Sequence, residues 1–322
     1  MRQSDKTSWR GIGRQVAWFS ILSLLMWVGL YAADQHLTYV HAGSDLISDQ
    51  KRVTLSGHQV LRADAPLRVV ALGNSRMLSS FRPDVFDAQY QGRASSFNFG
   101  IPGDSRMFPI LDRILAGGNR PTHVLLQVAW KSDTDVQDSP WLLKDDKRIL
   151  NALLPFRKLP RDLALFAFQA RAGGFQQQWD KVRQEVEGVE RNRGWYFISA
   201  QSHHADHRLP ADFSLPSDRP HDIDPRPMDL SASEYAHLKA LAAKYQFRVL
   251  LIPHAVRTGE FREDPSADVR VISADPYIAV VGPHYWLMPP ASFSDPVHTN
   301  IPGSEAYTRR LAELLQASGE VR

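Results

Sequence analysis

Residues 67–76 read Leu67-Arg68-Val69-Val70-Ala71-Leu72-Gly73-Asn74-Ser75-Arg76. A short apolar run rich in branched side chains, closed by Gly and a polar turn, predicts a strand buried on both faces. The rest of the chain repeats that rhythm. Residues 96–100 and 123–130 predict a second and third strand, 248–252 a fourth ended by Pro253, and 277–281 a fifth. Between them, residues 104–116 set Met107, Ile110, Leu111, Ile114 and Leu115 at helical spacing. Residues 303–315 do the same with Tyr307, Leu311, Leu314 and Leu315. Ser231 and Glu234 have the spacing of a capping box that opens a helix running to Tyr245. Strands alternating with helices predict an α/β fold, a three-layer α/β/α sandwich around a mostly parallel central sheet.

The start of the chain sets its compartment. Residues 16–33, VAWFSILSLLMWVGLYAA, carry no charge over the length that a bilayer-crossing helix needs. Arg2, Lys6, Arg10 and Arg14 precede this run and Asp34 follows it. The positive-inside rule then keeps a short tail in the cytoplasm and exports everything after Asp34. A cleaved signal peptide is one alternative, but a cut after Ala32 or Ala33 leaves Leu30 or Tyr31 where a small residue is needed. A buried core helix is the other, and the basic flank argues against it.

The resulting plan is a cytoplasmic tail (1–14), a transmembrane anchor (15–33), a juxtamembrane connector (34–64) and a main domain (65–322). Residues 134–227 break the strand–helix rhythm and read as an insertion at the sheet's C-terminal edge, serving as a lid or partner surface. They hold two charged helical segments, 162–170 and 176–190, and a tract rich in Pro, His and Asp at 202–227.

Composition removes several classes of function. The 322 residues carry 38 Lys+Arg against 35 Asp+Glu, a net +3, which gives no electrostatic ground for nucleic-acid binding. A chain 43% hydrophobic and 23% charged has the balance of a globular protein rather than a disordered one. With no Cys, disulfides, thiolate nucleophiles and Cys-ligated metals are excluded.

Three segments carry candidate chemistry. Gly73-Asn74-Ser75-Arg76 follows the first strand, where an α/β protein exposes a hydroxyl to a ligand. Its plainer reading is that Ser75 caps the next helix. Asn98-Phe99-Gly100-Ile101-Pro102-Gly103 follows the second strand, and a Gly there lets backbone N–H approach a ligand. Its plainer reading is an ordinary loop. Asp295-Pro296-Val297-His298, with Asn300 and Gly303 leading into the last helix, supplies a base and a carboxylate to orient it.

In this order, at these strand ends, the three segments resemble the blocks of the SGNH (GDSL-like) hydrolase superfamily over about residues 67–315. The resemblance implies Ser75 as nucleophile, His298 as its base and Asp295 as the orienting acid. It implies an oxyanion hole made by the N–H groups of Ser75 and Gly100. The family's third block ends a central strand with an Asn donor, whereas this strand runs on through Val128-Ala129-Trp130-Lys131-Ser132-Asp133. Either Trp130 or Lys131 is then the substitute donor or the third donor is missing, and both residues join Asn74 and Arg76 as substrate contacts. No cofactor and no metal is expected.

More narrowly, the anchor, the exported domain and the altered third block resemble the membrane-anchored cell-envelope acyl-transfer branch, which serves teichoic-acid D-alanylation and exopolysaccharide O-acetylation. That implies a serine acyltransferase or esterase in the inner membrane, with its catalytic domain in the periplasm or outside the cell. The implied partners are an envelope glycan and a polytopic membrane-bound O-acyltransferase. The alternatives are a non-catalytic scaffold recruiting those partners, and a simple carbohydrate esterase or deacetylase.

Other residues invite smaller readings. His203, His204 and His207 with Asp206 read as a solvated loop rather than a metal site, because no second carboxylate cluster accompanies them. Arg193-Gly194-Trp195-Tyr196 reads as an anchoring patch, with sugar stacking as its alternative. His254 and His284 read as packing residues, with cleft lining as theirs.

Overall fold

A computed structural model describes residues 6–41, 43–102, 107–127, 154, 156–198, 202–216, 228–260 and 269–321. The chain forms two compact units, Met1–Leu46 with Lys147–Val182 and Ile47–Asp146 with Arg183–Arg322. It opens with α1 (Lys6–His36) and, after a turn, α2 (Ser44–Asp49). Next come β1 (Leu67–Leu72), α3 (Ser75–Ser80), α4 (Pro83–Gln89), β2 (Ala94–Asn98), α5 (Met107–Ala116) and β3 (His123–Gln127). Helices α6 (Leu159–Gln169) and α7 (Gly174–Arg191) follow. The remainder is β4 (Met228–Asp229), α8 (Ala236–Tyr245), β5 (Arg248–Ile252), β6 (His254–Arg257), β7 (Val271–Ser273), β8 (Ile278–Val280), β9 (Tyr285–Met288) and α9 (Ile301–Ser318).

In the first unit, Gly11–Asp34 is 24 residues of mean hydropathy 1.8 with none of its apolar window buried. This helix is long and apolar enough to cross a membrane. Trp27 stacks on Tyr31 one turn on, with ring centroids 5.4 Å apart. Beyond α1, His41 meets the buried Asp162 carboxylate of α6 at 3.0 Å, and Asp45 takes both Lys158 and Arg161 at 2.6 Å.

The second unit is built on a five-stranded parallel sheet in the order β2-β1-β3-β5-β8. Alternation along each strand feeds two cores. Val70, Leu72, Val124, Leu126, Val249 and Leu251 pack with residues of α5 and α8. Val69, Ala71, Leu125, Leu250 and Ile252 pack with Tyr307, Leu311 and Leu315 of α9. Burial on both faces is why these strands read as unbroken apolar runs. Parallel strands also gather all their carboxyl ends at one edge. The crevice between β1 and β3, from which the chain departs first to one side and then to the other, is the usual ligand position in such a sheet.

Several boundaries differ from the sequence reading. The capping box does not form, because the Ser231 hydroxyl donates back to Asp229 Oδ1 at 2.6 Å and α8 begins only at Ala236. Helix α9 starts earlier and ends later than expected: Asn300 Oδ1 accepts the Gly303 N–H at 2.9 Å, and Gly319 closes the helix at φ +72°. Strands β6 and β9, which pair in parallel, lie outside the expected set; buried His254 and Arg257 interrupt the apolar pattern of β6.

The stretch read as a connector is folded. A π-helical turn, Gln50–Thr54, follows α2, and Ile47, Leu55 and Leu61 enter the first core. The segment after α7 is a staple: the Asn98 N–H donates to the Arg193 carbonyl at 2.9 Å, and Trp195 Nε1 donates to the Ser79 carbonyl at 2.8 Å. Arg193 pairs with Asp87, and Gly194, at φ +87°, lies so close to the Asn98 carbonyl that a Cβ would overlap it.

Candidate active site

The edge of the sheet beyond β1 presents Ser75 as the first residue of α3. The cap of that helix is Asn74, whose Oδ1 accepts the Arg76 N–H at 2.9 Å. Ser75 is therefore released from the capping role that its position suggests, and its hydroxyl and N–H make none of the described hydrogen bonds. Helix α3 is only six residues long, so it offers Ser75 an open backbone donor more than a macrodipole.

The Asp295–His298 segment lies in the loop before α9. His298 Nδ1 sits 2.8 Å from Asp295 Oδ2, while Asp295 Oδ1 accepts the N–H groups of Val297 and His298, each at 2.9 Å. Burial pushes the Asp295 carboxyl up. The hydrogen bond and charge of His298 and the two backbone donors outweigh it, and hold the group below the usual carboxylate value. Asp295 is 2% exposed and His298 6%. His298 Nε2, the nitrogen turned away from Asp295, is buried without a hydrogen-bond partner.

Thr299, the next residue, brings this loop against α3, with its hydroxyl 3.3 Å from Ser80 Oγ and 3.5 Å from Ser79 Oγ. Ser79 lies one turn beyond Ser75, on the same face of the helix. The structure thus joins Asp295 to His298 by a hydrogen bond, and it sets their loop on the face that begins with Ser75. The hydrogen bond between Ser75 and His298 is not formed.

Gly100 follows β2 in a loop tied to the Ser75 loop. The N–H of Phe99 donates to the Ala71 carbonyl at 2.8 Å, and that of Ile101 to the Gly73 carbonyl at 2.9 Å. A side chain at Gly100 would place its Cβ 2.5 Å from the Leu78 nitrogen. The Gly100 N–H, expected as an open oxyanion donor, is engaged by Asn98 Oδ1 at 2.8 Å. Asn98 also donates through Nδ2 to the carbonyls of Met77 and Phe81, at 2.9 and 2.7 Å.

Of the proposed substrate contacts, Asn74 is committed to its cap, and Arg76 is ion-paired with Glu260 at 3.1 Å. Trp130 and Lys131 lie outside the described residues. Strand β3 ends instead on a buried carboxamide, Gln127, which stands beside the Tyr307 hydroxyl of α9 and whose Oε1 would lie 3.5 Å from a Cβ at Gly73. Beside the His298 loop, a half-open cavity of about 240 Å³ is lined by Phe197, Asp206, His207, Arg208, Asn300 and Ile301. The His207 ring meets Phe197 edge-on and His204 meets Phe213. Among the described residues, no three His, Asp or Glu side chains stand close enough to hold a metal ion.

Sequence reasoning missed Gln127 and placed Asn98 in a candidate segment without giving it a role. Their signal was a carboxamide at the end of an otherwise buried strand, where an apolar side chain is the default. The chain matches no protein-family model, no curated protein and no solved structure.

Proposed function

We propose that this protein is a membrane-anchored serine acyltransferase or esterase with the three-layer SGNH-like architecture, acting outside the cytoplasm on acyl groups of an envelope glycan. The observation that carries the reading is the Asp295–His298 pair. A buried carboxylate fixes the Nδ1 side of the imidazole, and the opposite nitrogen is left without a partner on the loop packed against α3. That is the state of a general base awaiting a hydroxyl.

In the proposed reaction, Ser75 moves into reach of His298 Nε2, which accepts its proton as Oγ attacks the acyl carbonyl. The carbonyl oxygen becomes negative and is met by the open Ser75 N–H, with the Gly100 N–H shared between Asn98 and the oxyanion. His298 returns the proton to the leaving oxygen, and the acyl group remains on Ser75. An acceptor hydroxyl, deprotonated by the same imidazole, then attacks the ester and releases Ser75. The cavity beside Asn300 gives a sugar hydroxyl a place to approach, with Phe197 and Ile301 as apolar wall and Asp206 and Arg208 as polar rim. Whether water or a glycan collects the acyl group depends on how well that space excludes water. A polytopic membrane-bound O-acyltransferase is the proposed source of the acyl group.

Burst release of p-nitrophenol from p-nitrophenyl acetate, abolished in Ser75→Ala, tests the acyl-enzyme. One observation favours a non-catalytic scaffold instead: the Gly100 N–H is already engaged by Asn98. A wild-type protein with no Ser75-dependent burst would establish that second reading over the first.

A further inference from the structure

Lys51 has no part in the chemistry above, yet with Arg257 it is one of two fully buried basic side chains among the described residues. It lies in the π-helical turn Gln50–Thr54, and its side chain is 0% exposed. Its Nζ donates to the Gly100 carbonyl at 2.6 Å, and among the described residues no carboxylate pairs with it. Nearby charges are directed elsewhere: Asp49 takes Arg52, and Glu190 takes Gln50 at 2.7 Å. Burial alone pushes the amine well below the ordinary lysine range. A buried amine without a counter-ion is a costly way to satisfy one carbonyl, and such groups concentrate where function requires them. π-Helical turns concentrate there too.

The contact falls on a sensitive peptide. Gly100 is gripped at both ends, its N–H by Asn98 Oδ1 at 2.8 Å and its carbonyl by Lys51. The next N–H, that of Ile101, reaches the Gly73 carbonyl two residues before Ser75. We propose that Lys51 is a positioning residue of the acyl-transfer site, holding the Gly100 loop at the height from which it borders Ser75. The inference rests on the acyl-transfer reading. A donor without charge suffices for this role.

The test uses full-length protein in detergent and Ser75-dependent hydrolysis of p-nitrophenyl acetate, with Ser75→Ala as control. Lys51→Met, which keeps the stem and removes the donor, is expected to lower kcat at least tenfold with KM changed less than twofold. Lys51→Gln, an uncharged donor, is expected to recover part of that loss. Equal kcat in wild type and Lys51→Met overturns the proposal while leaving the acyl-transfer reading intact. Absence of Ser75-dependent hydrolysis in wild type overturns both. If Lys51→Met does not fold, the wild-type protein trapped with a methylphosphonate on Ser75 decides. Nζ within hydrogen-bond reach of the Gly100 carbonyl in that adduct supports the role, and a broken contact overturns it.

Discussion

Asn74 Oδ1 accepts the N–H of Arg76 at 2.9 Å, and the residue enclosed between them, Ser75, engages neither its hydroxyl nor its N–H among the described residues. The helix start is thus stabilised by one side chain while its neighbour is left out of the cap. Asn74→Ala is expected to cost about 1 kcal/mol of stability and to lower acyl-transfer activity with it, whereas Asn74→Asp retains both. Chemical denaturation and ester hydrolysis on the same preparations check this.

Ser75→Ala removes a hydroxyl that makes no hydrogen bond among the described residues, so its stability is expected to stay within about 0.5 kcal/mol of wild type. Acyl-enzyme formation, measured by phosphonate labelling, is expected to vanish. A variant that is strongly destabilised would show that the hydroxyl has a structural partner.

Asp295 gives a pH signature. Its carboxyl is held below its ordinary value, so the folded state binds the proton less readily than the unfolded chain. The stability it contributes is present above about pH 3.9 and is lost as pH falls through the folded value. The gap in denaturation midpoint between wild type and Asp295→Asn is expected to be level from pH 7 to 5 and to narrow below about pH 4. A gap that widens on acidification would reverse the sign of the assignment.

Gly100→Ala forces a Cβ to within 2.5 Å of the Leu78 nitrogen and 2.9 Å of Asn98 Oδ1. Backbone cannot yield there without moving α3, so a loss of about 1–3 kcal/mol is expected, with Ser75-dependent activity falling further than stability. Gly92→Ala meets nothing nearby but sits at φ +81°, and serves as the control in which stability falls and activity does not.

Topology has its own check. A reporter active only across the membrane, fused after Arg322, is expected to work if α1 spans the bilayer with its basic end in the cytoplasm. Activity from a cytoplasm-specific reporter at the same position would reverse the orientation.

Much of this was legible in the chain because buried parallel strands advertise themselves. Val69 to Leu72 and Val249 to Ile252 are apolar at every position, and only two-faced burial requires that. The Asp295–His298 pairing was legible from spacing, since three residues of turn bring the two side chains together. The rest depended on distant partners. Nothing local distinguishes Lys51 from an exposed lysine, because the carbonyl it reaches belongs to residue 100. Ser231 and Glu234 had the right spacing for a cap, but Asp229, supported by Ser273 from β7, draws the serine backwards. Strand β6 was hidden because its buried His254 and Arg257 look polar to any pattern.

The strand order sets a timetable for the growing polypeptide. Strands β1, β2 and β3 can associate as soon as they are made, but β3 must keep an open edge until Arg248 and its neighbours arrive, after the whole intervening stretch. Closing so long a loop is slow, although its entropic cost grows only with the logarithm of its length. Helix α9 comes later still, and only then do Thr308 and Ser80 tie the two ends of the unit at 3.0 Å. The loop that carries His298 therefore reaches α3, through Thr299, only after the first three strands have been made. A chain released early would leave the edge of β3 unpaired and open to aggregation.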